Sequence, residues 1–462
     1  MTANTSTLTE KINKFYTGWI YPLVVTFFIT IAAICAAELF LAGVVVLLFM
    51  GACIFSNTAK PLIITVVSFV LQISRQYSPS PSVSDMHDYY FSSWRFPVFV
   101  VYITAIVISL AFFFVKNGCY KRMSIKRDIL LLPTILLCTA FLLSGVFYTD
   151  FIVGIPFSLI QIGTFSLVYF IFAYGFAEEE SVGELSGYFS YVSVVVSGGI
   201  LVQLAHLYLT SDNIFVDGGI NKVGVMLGWG SWALIGLTLA MLIPVIFIGA
   251  MRGGRYSAVY FIAATLAFFG AIFSMSRAAQ LVGALAYLAC LVIGAFKADS
   301  KLIYRISLGI ALICTAVGVV MLWDKLPTML VEFFDDNGRA EHAKIAIDNF
   351  KLAPVFGVGF LNFESVTQIP YMYAPMGPWP AMAHNTVLEL LSATGIFGLC
   401  AYLLYRCASI LPVFKKPTLD KSLIFISVLV VLSASMLDNF VFDVYPMFYS
   451  LIALAIIHKK QV

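Results

Sequence analysis

Residues 323–398 read WDKLPTMLVEFFDDNGRAEHAKIAIDNFKLAPVFGVGFLNFESVTQIPYMYAPMGPWPAMAHNTVLELLSATGIFG, a long hydrophilic interruption in an otherwise apolar chain. The interruption closes with Ala383-His384-Asn385-Thr386, where the next apolar segment begins. Because apolar segments of membrane-spanning length flank it, the sequence predicts that this stretch lies against one face of a membrane.

The composition excludes a soluble domain. The chain has 462 residues, of which 61% are hydrophobic and 11% are charged, whereas a soluble surface needs roughly a quarter of its residues charged. We therefore predict an all-α, polytopic transmembrane helical bundle, with residues 1–462 as a single integral membrane domain. The net charge of +3 and the scattered basic clusters give no indication of a nucleic-acid partner. The eight cysteines show no disulfide framework or metal-ligand spacing.

Apolar runs able to cross a bilayer predict about 12 to 14 spans. The candidates lie near residues 19–37, 39–55, 61–74, 97–115, 129–147, 152–175, 188–209, 224–250, 256–273, 278–296, 302–322, 385–405, 422–437 and 441–457.

The basic residues predict the orientation of these spans. Most of the 27 lysines and arginines fall on one side of the predicted membrane when the N-terminus is placed in the cytoplasm. This bias predicts a multi-pass protein with both termini cytoplasmic and with residues 323–384 as an extracytoplasmic loop.

One amphipathic helix is predicted inside that loop, from Arg339 to Phe350, and Pro354 would prevent its continuation. Its narrow apolar stripe predicts a helix lying on the membrane surface and packed on the spans beneath. The stripe consists of Ala340, Ala343, Ile347 and Phe350.

Two arginines are candidates for anion binding. Arg277 follows Ser276 at the outer end of a predicted span, where a guanidinium is costly unless it snorkels to water, pairs with an acid or binds an anion. Arg339 opens the amphipathic helix, so its fork of donors would add to the N–H groups of a helix N-terminus. The alternative for Arg339 is a solvated arginine paired with a nearby acid.

His384 is the strongest single candidate for a catalytic residue. An imidazole can accept a proton from a hydroxyl near neutral pH, and the span that follows would hold it rigidly. A second interpretation, compatible with the first, is that His384 and Asn385 cap that span. His342, Lys344 and Lys351 more simply form the solvent-exposed, wet face of the loop helix, and all three are kept as weak candidates.

These motifs, in this order, resemble a known family. Ser276-Arg277, then Gly338-Arg339, then residues 354–360 (PVFGVGF), and finally His384-Asn385 with Gly395 are similar to the O-antigen ligase and polymerase superfamily of bacterial envelope enzymes. The resemblance covers residues 276–398.

The resemblance implies a polytopic, GT-C-like glycosyltransferase fold in the bacterial cytoplasmic (inner) membrane. It implies transfer of an oligosaccharide from a polyprenyl-diphosphate carrier to a glycan or lipid A-core acceptor on the outer face, without a metal ion or other cofactor. Carried over, His384 is catalytic, and Arg277 and Arg339 bind the diphosphate. Ser276, Asn385, Arg95 and Lys344 are weaker candidates.

Three choices stay open at this point. The third basic donor contact could be Arg75, Arg95 or Lys222. The enzyme could be a ligase, a polymerase or a protein glycosylator, since these differ in acceptor alone. The rival class is a lipid-linked glycan flippase or another polytopic transporter, which would show buried charges along a path and broken helices near the bilayer centre.

Overall fold

The fold is an all-α bundle, as the sequence predicts. The computed structural model describes residues 2–35, 38–63, 65, 95–122, 128–148, 162–163, 169–175, 182–210, 215–216, 219–220, 232–274, 276–321, 339–359, 383–415, 417–437 and 450–455.

The described helices are numbered in chain order. They are α1 (Thr2–Thr17), α2 (Ile20–Cys35), α3 (Glu38–Phe55), α4 (Arg95–Lys116), α5 (Cys119–Arg122), α6 (Leu131–Leu143), α7 (Tyr169–Gly175), α8 (Val182–Thr210), α9 (Trp232–Met251), α10 (Ser257–Phe273), α11 (Arg277–Lys297), α12 (Lys301–Met321), α13 (Arg339–Leu352), α14 (Thr386–Lys415) and α15 (Leu419–Ala434). A small antiparallel hairpin joins β1 (Phe215–Val216) to β2 (Gly219–Ile220).

Several helices have the length and composition of membrane spans. Three in the described part are long and apolar enough to cross: Leu185–Val202 within α8, the whole of α11, and the whole of α14. Shorter apolar helices accompany them at Ala42–Phe55, Val100–Lys116, Leu131–Leu143, Ile235–Met251 and Ser257–Phe273. The predicted number of spans stays a prediction, because the spans expected at 61–74, 152–175 and 441–457 lie largely outside the described residues.

Helix α9 is the centre of the bundle. Its residues 239–243 and 245–248 are fully buried, so this helix is apolar on all sides, as an interior helix must be. Helices α8, α10, α11 and α15 pack around it. By contrast, Phe40 on α3 and Val320 on α12 are 73% and 74% exposed, which suits side chains that face lipid.

The contacts at helix ends fix the direction of each helix. At one end of the bundle, the Asp299 N–H donates to Met251 O at 3.2 Å, and Arg252 pairs with Asp420. We call this the basic end, since it also carries Arg255, Lys297, Lys301 and Lys421. Helix α11 ends there and α15 begins there.

The opposite end therefore holds the start of α11 and the close of α15. The Thr386 N–H donates to Ser435 O at 2.9 Å, so α14 begins where α15 finishes. Arg277, the first residue of α11, lies at this same end. The two sequence-predicted segments, 276–277 and 384–386, are thus brought to one end of the bundle although more than 100 residues separate them.

Helix α14 is broken at Gly395, whose φ of 66° and ψ of −164° are not helical. The break lies about 14 Å along the helix from its start, which is deep inside the bundle. In a continuous helix the N–H groups of Ile396 and Phe397 would bond to the carbonyls of Ser392 and Ala393. The break releases all four groups.

Residues 353–359 form hydrogen bonds with all four released groups. Val358 and Gly359 donate their N–H groups to Ser392 O and Ala393 O at 2.8 and 3.0 Å. In return, the carbonyls of Pro354 and Val355 accept from Ile396 and Phe397 at 2.9 and 3.2 Å. Because irregular backbone in a membrane must be satisfied by protein, this exchange explains why the PVFGVG motif and the break occur together.

Two glycines make this exchange possible. Gly357 has a φ of 67°, and a Cβ built on it would lie 2.2 Å from the carbonyl carbon of Ala393. A Cβ on Gly395 would lie 2.4 Å from Val355 O. Helix α6 closes the region, since Ser144 Oγ donates to Ala393 O at 2.7 Å and Gly145 N to Phe356 O at 3.2 Å.

The structure corrects one part of the loop prediction. Helix α13 forms as predicted and ends at Leu352, two residues before Pro354. However, the buried residues on it are Ala346 and Asn349, and the predicted packing of the apolar stripe on the spans is wrong for Ala340 and Ile347, which are exposed. The buried face was missed because Asn349 is polar, and its amide donates to Ser392 Oγ at 3.1 Å.

We expect Gly357→Ala to destabilise the protein by on the order of 3 kcal/mol, because the added methyl collides with backbone that cannot move independently. Thermal unfolding of the purified protein measures this. Gly309→Ala is the matched control: a Cβ there meets nothing within 4 Å, so this variant should melt at or slightly above the wild-type temperature. Equal melting temperatures for both variants would contradict the backbone exchange.

Candidate active site

His384 is held at the start of α14 by the residue that follows it. Asn385 Oδ1 accepts from the N–H groups of Val387 and Leu388 at 2.9 and 3.1 Å, which makes Asn385 the N-cap. Asn385 Nδ2 also donates to Met436 O at 3.0 Å, beyond the end of α15. The cap thus fixes α14 to α15, while the His384 side chain itself is exposed.

Helix α13 brings a second histidine to His384. The imidazole rings of His342 and His384 stack, with their centroids 5.1 Å apart and their planes at 30°. Beneath them Ala346 and Ala383 form a small buried cluster, against which Ile345 and Leu388 pack. The contact places the loop helix directly on the segment that carries His384.

Arg339 lies on the same face of α13 as His342. The two residues are three apart, so one turn of helix separates them and their side chains are neighbours. The Arg339 side chain is half-buried. The structure therefore places Arg339 one helical turn from the His342 ring that stacks on His384.

His342 is a residue whose place the sequence analysis misjudged. Its assignment to the wet face of the helix is wrong, because its ring is half-buried against His384. Lys344, two residues later, is exposed and points about 200° away from His342 around the helix. Its weak candidacy gains no support from this position.

Arg277 is positioned by the corner between α10 and α11. Ser276 is the N-cap of α11, and its Oγ accepts from Ala279 N at 3.4 Å. Gln280 Nε2 donates back to Ile272 O at 2.9 Å and closes the corner. Ser276 is buried and serves as a cap, whereas Arg277 is half-buried at the end of the bundle that also holds His384.

Arg95 is the first residue of α4. The far end of that helix, at Lys116, bonds to Ile54 O and Ser56 O at 2.7 and 3.0 Å, on the side where α3 ends and α5 begins. Tyr174 of α7 donates its hydroxyl to Asp128, just before the start of α6, and Arg122 of α5 donates to the Tyr174 carbonyl. The other end of α6 contacts residues 353–359. The backbone of Arg95 therefore lies at the His384 end. Arg75, Lys222 and residues 370–380 fall outside the described residues.

A buried carboxyl group beside His384 was missed by the sequence analysis. Glu389 lies in the first turns of α14 and is completely buried. Its Oε2 accepts from the Ala383 N–H at 2.9 Å, and its Oε1 has no hydrogen-bond partner among the described residues. An ionisable residue just inside a predicted span is the signal that could have identified it.

The remaining charges near α13 form a solvated surface. Lys351 Nζ donates to Asp348 Oδ1 at 2.9 Å, and this hydrogen bond lowers the pKa of the Asp348 carboxyl. Both side chains are exposed. Among the described residues no three His, Cys, Asp or Glu side chains are grouped as metal ligands would be, and metal-independent chemistry stays a prediction.

The arrangement collects two guanidinium groups and an exposed imidazole at one end of a membrane bundle. Such a set can bind an anion and accept a proton. No curated protein matches the chain. The O-antigen ligase family (Wzy_C) matches residues 261–403, which run from α10 into α14 and contain Arg277, Arg339 and His384. This match confirms, over residues 261–403, the resemblance to the O-antigen ligase and polymerase superfamily that the motifs indicate.

Proposed function

We propose that this protein transfers an oligosaccharide from a polyprenyl-diphosphate carrier to an acceptor sugar at the outer face of the bacterial cytoplasmic membrane. The O-antigen ligase match over residues 261–403 supports a membrane glycan ligase or polymerase. The observation that carries the finer proposal is the stacking of His342 on His384, because it joins the Arg339 helix to the catalytic candidate.

Arg277 and Arg339 bind the diphosphate in this proposal. Guanidinium groups pair bidentately with phosphate oxygens and remain charged at any working pH. At the edge of a low-dielectric bundle, two such groups stabilise the charge that develops on the leaving diphosphate. The lipid tail would lie along the apolar exterior of the helices.

His384 is the general base. Its exposed imidazole would accept the proton of the attacking acceptor hydroxyl as the bond between the sugar and the diphosphate breaks. Such a base contributes roughly 10² to 10⁴ in rate. The Asn385 cap supplies the rigidity, since it ties the adjacent backbone to both α14 and α15.

The charge distribution supports an outward-facing site. The basic end carries Arg252, Arg255, Lys297, Lys301 and Lys421, and the positive-inside rule assigns such a cluster to the cytoplasm. His384 lies at the opposite end. With this orientation both chain termini would be cytoplasmic.

The break in α14 is the feature that a flippase or transporter would share. In transporters, unwound backbone groups bind the substrate or ion. Here Val358, Gly359, Pro354 and Val355 bond to the released groups, so the broken turn offers no lining for a path. Because the released backbone groups are already paired within the protein, the break favours a transferase over a transporter.

Activity with purified protein tests the reaction and its acceptor. We expect transfer from a lipid-linked repeat unit either to a growing glycan, which identifies a polymerase, or to lipid A-core, which identifies a ligase. Movement of the lipid-linked glycan across the membrane of reconstituted vesicles, without any transfer of the glycan to an acceptor, would establish the transporter alternative.

His384→Ala should abolish transfer while leaving binding of the lipid-linked donor mostly intact, because the base acts on the acceptor hydroxyl. His384→Gln, which keeps polarity but cannot accept that proton, should be equally inactive. Single-turnover transfer and donor binding measure the two effects. A well-folded variant of either kind that assembles glycan at the wild-type rate would contradict the catalytic role.

Arg277→Ala and Arg339→Ala should each weaken donor binding by about 10-fold or more, since each removes a charged hydrogen-bonding contact. Arg→Lys at either position should recover part of the affinity, because lysine keeps the charge without the fork. Arg255→Ala, which removes an exposed arginine at the basic end, is the control and should bind like wild type. Uniform weakening across all three alanine variants would argue against a specific diphosphate site.

The orientation can be tested with single cysteines in spheroplasts. Asp348→Cys, on exposed α13, should react with a membrane-impermeant maleimide added outside. Lys301→Cys, at the exposed basic end, should react only after lysis. The reverse pattern would place the active site in the cytoplasm. Both cysteines are introduced into a background from which the native cysteines have been removed.

A further inference from the structure

The Glu389 carboxyl group lies in a buried position, where a polar side chain lowers the stability of the fold unless it is hydrogen-bonded. It is completely buried in a helix that is long and apolar enough to span a membrane. One oxygen accepts a single hydrogen bond, and the other has no partner within the described part of the chain. Because buried polar groups are destabilising unless hydrogen-bonded, such an unsatisfied oxygen calls for an explanation outside stability.

The one hydrogen bond that Glu389 makes is informative. Its donor is the N–H of Ala383, the residue directly before His384. Ala383 is otherwise held by packing in the small cluster with Ala346. The carboxyl group thus reaches back from the helix and holds the backbone N–H of the residue before the histidine.

The His384 backbone is therefore held from both sides. Asn385 bonds forward into α14 and across to Met436, and Glu389 bonds to the peptide on the other side of His384. These bonds restrain the residues before and after His384, whose ring stacks on that of His342.

We propose that Glu389 is a positioning residue for the transfer reaction: its carboxyl group holds the Ala383 peptide and thereby orients the His384 imidazole toward the acceptor hydroxyl. This inference rests on the proposed function of His384. It requires a hydrogen-bond acceptor at the reach of a glutamate side chain, and it does not require a charge there.

Glu389→Gln and Glu389→Asp separate these two requirements. Glutamine keeps an acceptor at the same reach, whereas aspartate keeps the carboxyl group but is one methylene shorter. We expect Glu389→Gln to retain kcat within about 3-fold of wild type, and Glu389→Asp to lower kcat by at least about 10-fold, since small displacements of a catalytic group are costly. KM for a lipid-linked repeat unit should stay within about 2-fold in both, because the donor-binding arginines are untouched.

Three further variants complete the experiment. Glu389→Leu should lose kcat at least as strongly as Glu389→Asp. Asp348→Asn, the same chemical change as Glu389→Gln at an exposed carboxyl group, should match wild type. His384→Ala reports on the proposed function in the same preparation, and melting temperatures identify any variant that fails to fold.

The outcomes distinguish the two claims. If His384→Ala is inactive while Glu389→Asp equals or exceeds Glu389→Gln in kcat, the positioning role is overturned and the proposed function stands. Loss of donor affinity rather than kcat in the Glu389 variants also overturns it. If His384→Ala transfers glycan normally, the proposed function fails and the role of Glu389 fails with it. Misfolding of Glu389→Leu leaves the glutamine and aspartate comparison decisive.

Discussion

The exchange of backbone hydrogen bonds between residues 353–359 and the broken turn of α14 is the constraint on which the site depends. Each released N–H or carbonyl group would cost several kcal/mol if left unpaired in a membrane interior. The loop satisfies four of them and is itself held in place by doing so. Helix α13 directly precedes this loop, so its position over His384 follows from the same contacts.

This arrangement explains why a long hydrophilic loop can carry part of a precise site. A loop tethered at its two ends alone would move relative to the bundle. Here residues 353–359 bond to the broken turn of α14, the helix that begins just after His384, since Asn385 caps α14 and Gly395 breaks it. Arg277 comes from a separate helix whose direction is fixed by the basic end, so the loop and the bundle assemble the site jointly.

Much of this could be predicted from the sequence, for identifiable reasons. Apolar runs and their caps located most described helices closely, because the period and length of a span are strong signals. The order of Arg277, Arg339 and His384 carried the family resemblance that the match over residues 261–403 confirms. Arg75 and Lys222 lie outside the described part of the chain, so the predictions for them stand as made.

What the sequence could not show was which groups meet. The burial of Asn349 depends on a serine 43 positions later, and the stacking of His342 depends on the angle at which α13 crosses α14. Glu389 was overlooked because one acid does not disturb an apolar run. Gly357 and Gly395 are visible in the sequence as parts of motifs. Their close packing against each other's backbone segments is seen only in the tertiary structure.

An experimental structure with a polyprenyl-diphosphate donor bound would test the central claim most directly. The account predicts that the diphosphate lies between the Arg277 and Arg339 guanidinium groups, with the lipid tail against the apolar exterior. It further predicts that the sugar faces His384, with the acceptor path on the same side. A diphosphate bound at the basic end, or one contacting neither arginine, would contradict the account.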